Sequence, residues 1–202
     1  MCWTTAGTTS WRCGRLVRLG GVSRNSPENL LLYLRPEDEA VVRGVFAALA
    51  EEGFPVQHQR PHITVTFAPT MDPGVVELAR ELLPPLMPAV FHRVGTVVFG
   101  RKSKQTVAWL LETTDDLEIA ARQVSAANPE GRGPRWTPHL TMGLRLPRAL
   151  VPDYMRALDE IAGPEHKEFR ADHAAWWRPK TQRLDIFGGS VPSVASANPP
   201  SD

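Results

Sequence analysis

The sequence predicts an α+β fold made of a duplicated strand–helix–strand unit, two lobes facing one cleft across a pseudo-twofold axis. Three observations lead there. Apolar strand-like runs alternate with amphipathic helical stretches along the central part of the chain. The pattern Pro-His-x-Thr occurs twice, as Pro61-His62-Ile63-Thr64 and Pro138-His139-Leu140-Thr141. Each histidine follows the opening of an apolar run, at Leu30 or Val107, by 32 positions, so the halves superimpose without a gap at an offset of 77.

The elements follow in order. Asn29–Leu34 is a short apolar run, read as a buried strand. Residues 37–51 read as a helix: Val41, Val45 and Leu49 recur at helical spacing, and Glu37, Asp38 and Glu39 sit where the helix dipole favours acids. A strand is expected over 62–67, and a helix over 73–83, with Pro73 tolerated in its first turn. Strands over 91–99 and 106–112 flank the polar loop Gly100-Arg101-Lys102-Ser103-Lys104. A helix over 117–127, a strand over 139–146 and a helix over 150–161 complete the second unit. Two last strands, 169–177 and 183–187, turn around Pro179. The folded domain is expected over 27–189, with flexible tails at 1–26 and 190–202, both rich in small and polar residues.

Composition narrows the function classes. The chain has 202 residues, 42% of them hydrophobic, and a formal net charge of +1. Proteins that grip long nucleic acid through its phosphates are usually far more basic, so a small ligand or a nucleic-acid end fits better. No apolar run reaches the roughly 18 residues of a membrane span, and the Arg-bearing N-terminal segment has no apolar stretch of the kind a secretory signal needs. The two cysteines, Cys2 and Cys13, both lie in the first segment, which makes a disulfide-stapled core unexpected and a cytoplasmic setting the default. A monomer without stable protein partners is expected.

The two motifs carry the chemistry. On a strand, alternate side chains share a face, which puts His62, Thr64 and Thr66 on one side and Ile63, Val65 and Phe67 on the other. In the second motif His139, Thr141 and Gly143 oppose Leu140, Met142 and Leu144. Two imidazoles facing one cleft can act as a proton acceptor and a proton donor, because their pKa lies near working pH. Two threonine hydroxyls can hold the non-bridging oxygens of a phosphate. One His-x-Thr alone would be explained by a half-buried strand histidine bonded to a nearby carbonyl. Two, each preceded by proline and placed at equivalent points of a repeat, are hard to explain that way. Neither motif contains a carboxylate, so no metal cluster and no cofactor are expected.

Arg60-Pro61-His62-Ile63-Thr64-Val65-Thr66-Phe67 and Trp136-Thr137-Pro138-His139-Leu140-Thr141-Met142-Gly143 resemble the signature of the 2H phosphoesterase superfamily, especially its LigT-like branch, also called the 2′-5′ RNA ligase family. The resemblance spans about Asn29 to Phe187. It implies a bilobal α+β fold with two antiparallel-rich sheets around a central cleft, and a metal-independent site. It also implies 2′,3′-cyclic phosphates or 2′-5′ phosphodiesters, on nucleotides or RNA ends, as substrates. It makes His62 the general acid, His139 the general base, and Thr64 and Thr141 the phosphate-binding residues. The near symmetry of the motifs does not itself order acid and base.

Further substrate contacts have competing structural readings. Arg101 and Lys102 would meet a phosphate or form a solvated hairpin tip. Trp136 would stack on a base or anchor a loop. Arg145 would share the His139 face if its strand is regular, or form a salt bridge at the rim. Tyr33, Trp109, Trp176 and Trp177 are expected in the core or at strand edges, and His58, His92, His166 and His173, lacking a threonine partner, are treated as incidental. Beside cyclic-phosphate hydrolysis stand two alternatives: a 2′-5′ or cyclic-oligonucleotide hydrolase with RNA ligase activity, and a binding module for nucleotides or RNA without turnover.

Overall fold

The computed structural model describes residues 26–188. The expected tails lie outside the described residues, Ser26 apart, as do both cysteines. The elements are β1 (Glu28–Leu34), α1 (Pro36–Glu51), β2 (His62–Ala68), α2 (Pro73–Leu82), β3 (Ala89–Phe99), β4 (Lys104–Glu112), α3 (Asp115–Ala127), β5 (His139–Pro147), α4 (Val151–Ile161), β6 (Glu168–Arg178) and β7 (Arg183–Phe187). Every strand and helix read from the sequence is present, with ends shifted by two residues or fewer. No helix among them is long and apolar enough to cross a membrane.

The repeat is longer than the motifs alone suggest. At the offset of 77, β1-α1-β2-α2-β3 superimposes on β4-α3-β5-α4-β6, five elements on five. The packing obeys the same symmetry: α1 lies against α4, and α2 against α3. Hydrogen bonding between strands, antiparallel throughout, runs β1-β2-β5-β4-β3-β6 and returns from β6 to β1, with β7 added outside β6. The fold is α+β, and the two expected sheets are halves of one continuous hydrogen-bonded set. The reason is strand exchange. The first part of β6 pairs with β3 through Phe91↔Phe169, and its later part pairs with β1 through Leu32↔Ala174. Long strands that serve both halves leave fewer unpaired backbone edges.

The helices cover the outer face of the strands. In α1 the buried residues are Asp38, Val42, Val45, Phe46 and Leu49, one helical stripe with Val42 in place of the expected Val41. Buried Asp38 takes two hydrogen bonds from Arg35, at 2.9 and 3.1 Å, and a third from the Arg170 amide at 2.6 Å. A carboxylate at a helix start is thus paired and tied to β6.

Both motif strands carry a bulge, and this corrects the predicted faces. Leu30 lies opposite Thr66 and Leu31 opposite Thr64, so Val65 is an extra residue in β2. Val107 lies opposite Gly143 and Ala108 opposite Thr141, so Met142 is extra in β5, again 77 positions on. A bulge inserts one residue and shifts the alternation beyond it. Thr66 and Gly143 therefore turn into the interior instead of joining the His-Thr face. Phe67 and Leu144 turn outward, 41% and 46% exposed. Gly143 has no room for a side chain: a Cβ there would lie 2.6 Å from Leu146 Cδ1 and 2.8 Å from the Tyr154 ring.

Two glycines test this packing. Gly143→Ala is expected to lower stability by about 1–3 kcal/mol through overpacking. Gly44→Ala, in the middle of α1 with open space around it, is expected to raise stability by about 0.5–1 kcal/mol. Denaturant unfolding of both variants reads the two signs.

Candidate functional site

The two motifs meet at a single bridge, Ile63↔Leu140, between β2 and β5. These residues are equivalent in the repeat, so the pseudo-twofold axis passes between them. Antiparallel pairing about that point sets His62 opposite Thr141 and His139 opposite Thr64. Each histidine is therefore next to its own threonine and across from the other's. The bridged pair itself points away, and both residues are fully buried in the core.

Each imidazole is oriented in the same way. His62 Nδ1 lies 2.7 Å from the Arg60 carbonyl, and His139 Nδ1 lies 2.7 Å from the Thr137 carbonyl. A carbonyl only accepts, so Nδ1–H is the donor and Nε2 is the free nitrogen of the neutral ring. Burial holds the His62 pKa below the ordinary 6.5; the charges on His139 and Arg60 push the same way and the Arg60 carbonyl opposes them. Burial also lowers the His139 pKa, with Arg132 adding to it and the Thr137 carbonyl opposing.

Thr64, Thr141 and His139 line an open cleft of about 750 Å³. Its other walls include Phe67, Leu144 and Phe99; the Phe99 ring lies 4.6 Å from that of His139. The bulges that turn Phe67 and Leu144 outward, onto the cleft face, are held by side-chain amides. Asn128 Nδ2 donates to Thr66 Oγ1 at 2.8 Å and to the Phe67 carbonyl at 3.0 Å. The Leu144 amide donates to Gln57 Oε1 at 2.8 Å. Backbone groups that a regular ladder would pair thus find partners elsewhere.

The remaining sequence candidates separate. Trp136 lies at the cleft but is 7% exposed, and its Nε1 donates to the Thr64 carbonyl at 2.9 Å. It fastens the second motif's approach to the first motif's strand, so it is the loop anchor and not a free stacking platform. Arg101 and Lys102 are exposed in the β3–β4 turn and do not line the cleft. Arg145 is exposed with φ 56, where the β4–β5 register shifts again, and it too does not line the cleft. The regular strand on which its expected place depended is not there.

The arginine missed from the sequence is Arg132. It lines the cleft, and its guanidinium lies 5.9 Å from the centre of the Phe67 ring. Its turn is firmly built: Ser125 Oγ donates to the Gly133 carbonyl at 2.8 Å, Gly133 has φ 68, and a Cβ on Gly131 would crowd Asn128. The signal in the sequence was the arginine set between two glycines just before the second motif. Among the described residues, no group of three or more His, Cys, Asp or Glu is gathered to hold a metal ion.

The lowered histidine pKa values have a consequence for stability. Below pH 6.5 the unfolded chain takes up protons that the folded protein resists, so stability falls with pH until the folded values are passed. The double variant His62→Gln/His139→Gln is expected to lose less stability than the wild type between pH 6.5 and 5, measured by denaturant unfolding.

No protein-family model and no curated protein matches the chain. Among solved structures the chain is similar to Usb1 of Kluyveromyces marxianus, with 12% identity over 82% of this chain and 99% of that one, at a TM-score of 0.47. It is also similar to the same protein with uridine monophosphate, with 14% identity over 83% and 100% of the two chains, at a TM-score of 0.43. The functional reading accordingly rests on the residues of the cleft.

Proposed function

We propose that the protein is a metal-independent phosphodiesterase that hydrolyses 2′,3′-cyclic phosphates on RNA ends or nucleotides. The observation that carries this reading is the Ile63↔Leu140 bridge, which sets two histidines and two threonines about one pseudo-twofold axis. In this reading the free Nε2 atoms flank a bound phosphorus atom, and the threonine hydroxyls reach its non-bridging oxygens.

The reaction follows from these placements. His139 Nε2 accepts a proton from water as its oxygen bonds to phosphorus. The phosphorus bond to one ribose oxygen breaks, and that oxygen takes the proton held on His62 Nε2. One water is consumed, the ring opens to a monophosphate, and the two imidazoles exchange roles until solvent restores them. Thr64 and Thr141 donate hydrogen bonds to the non-bridging oxygens, where charge accumulates. Arg132 favours the neutral form of His139, which suits a base. A bound phosphate anion favours protonation and so loads His62 as the acid. Phe67, Leu144 and Phe99 offer apolar and aromatic surface to the base of the nucleotide.

Phosphorus NMR of 2′,3′-cyclic nucleotides and a cyclic-phosphate-ended oligoribonucleotide is expected to show a single monophosphate isomer, formed undiminished in EDTA. His62→Ala and His139→Ala are each expected to lower kcat by about 10²–10⁴; full activity in either one would overturn the mechanism. The profile of kcat/KM is expected to be bell-shaped with its maximum below pH 6.5, because both histidines of the free protein titrate below that value. The optimum of kcat should lie at higher pH, since bound phosphate raises both.

A further inference from the structure

The cleft wall of the first half continues past the phosphate site. Directly paired residues share a face of a sheet, and the registers define three rows across it. One row runs His62, Tyr33, His173; the second runs Thr64, Leu31, Ala175, Ile186; the third runs Phe67, Asn29, Trp177, Leu184. Leu31, Tyr33, Ala175, Trp177 and Leu184 pack as a separate apolar cluster on this face, away from the main core. Ile186 at its end is 44% exposed. Trp177 lies two strands from Phe67, about 10 Å at ordinary strand spacing.

A cation stands over the first of these rows, on the histidine side of Phe67 and Trp177. The Arg60 guanidinium lies 4.1 Å from the centre of the Tyr33 ring, fixed from behind by a 2.8 Å bond from its Nε to Glu39. The His173 ring is 5.6 Å from Tyr33 on the other side. The groups facing this spot are Arg60, His62, Tyr33 and His173, with Asp172 beside His173. The second half has no counterpart: Thr137 stands in the place of Arg60, and β7 has no equivalent in the repeat.

We propose that this wall binds the penultimate nucleotide of an RNA 3′ end, with its base on Trp177 and its connecting phosphate beside Arg60 and His173. The inference rests on the reading of the cleft as a cyclic-phosphate site, and it makes an RNA end, rather than a free cyclic nucleotide, the preferred substrate. Aromatic faces for the bases beside a row of fixed cations for the backbone are what single-stranded nucleic acid uses without base readout.

The test compares adenosine 2′,3′-cyclic phosphate with the dinucleotide ApA ending in the same group. The wild type is expected to favour the dinucleotide in kcat/KM by about tenfold, within the range that stacking on one aromatic side chain supplies. That ratio should fall to about one in Trp177→Ala and survive in Trp177→Phe. Titration calorimetry with adenosine 3′-monophosphate and ApA 3′-monophosphate should give the same ratio in affinity. Equal values for the two lengths in the wild type overturn the subsite, as does a preference that persists in Trp177→Ala. Absence of turnover on both cyclic substrates would refute the catalytic reading alone, since the calorimetric comparison still decides the subsite.

Discussion

The pairing of Ile63 with Leu140 is the contact on which the site depends. Both are buried apolar residues, each standing between a histidine and a threonine that point the other way. Burying this pair in the core and bridging the strands at this point forces His62 against Thr141 and His139 against Thr64. A slip of one residue would exchange the faces of the whole motif and put imidazoles into the core. The placement of the two His-Thr pairs is thus a consequence of core packing, and the cost of misplacing it is the cost of burying unpaired polar rings.

The rest of the structure protects that bridge. Only one pair joins β2 to β5, so the strands diverge on both sides and leave the cleft between them. Their other edges are satisfied by β1 and β4. The bulges at Val65 and Met142 are then fixed by Asn128, Gln57 and the Tyr154 hydroxyl, which donates to the Met142 carbonyl at 2.6 Å. Trp136 crosses from one half to the other at Thr64. Hydrogen bonds to irregular backbone have directional requirements, and several converging ones hold a geometry that a flat strand pair would not adopt.

The scaffold is symmetric at the two histidines, which occupy equivalent places in the repeat. The symmetry is broken at the periphery. Beside His139 stands Arg132 on its glycine-flanked turn, with Phe99 against the ring. Beside His62 stands Arg60, latched to Glu39 and laid over Tyr33, on a wall widened by β7. The two halves thus present different charge and surface around the cleft while keeping one geometry at the paired histidines and threonines.

The elements and the repeat follow from the chain alone, because apolar periodicity and the paired Pro-His-x-Thr motifs are local signals. His62, Thr64, His139 and Thr141 were legible for the same reason: each lies within two residues of a strand start, before any irregularity intervenes. The fate of Thr66, Phe67, Gly143, Leu144 and Arg145 was not, since a bulge is set by the partner strand's register and by distant donors such as Asn128, 61 residues from Phe67. Trp136 read equally well as platform or anchor until its N–H met the Thr64 carbonyl. Tyr33, Trp177 and His173 gained a place beside the site only when β1 and β6 paired. Tertiary structure decided these points because side-chain direction beyond a bulge, and the neighbours of a strand, depend on contacts between residues far apart in the chain.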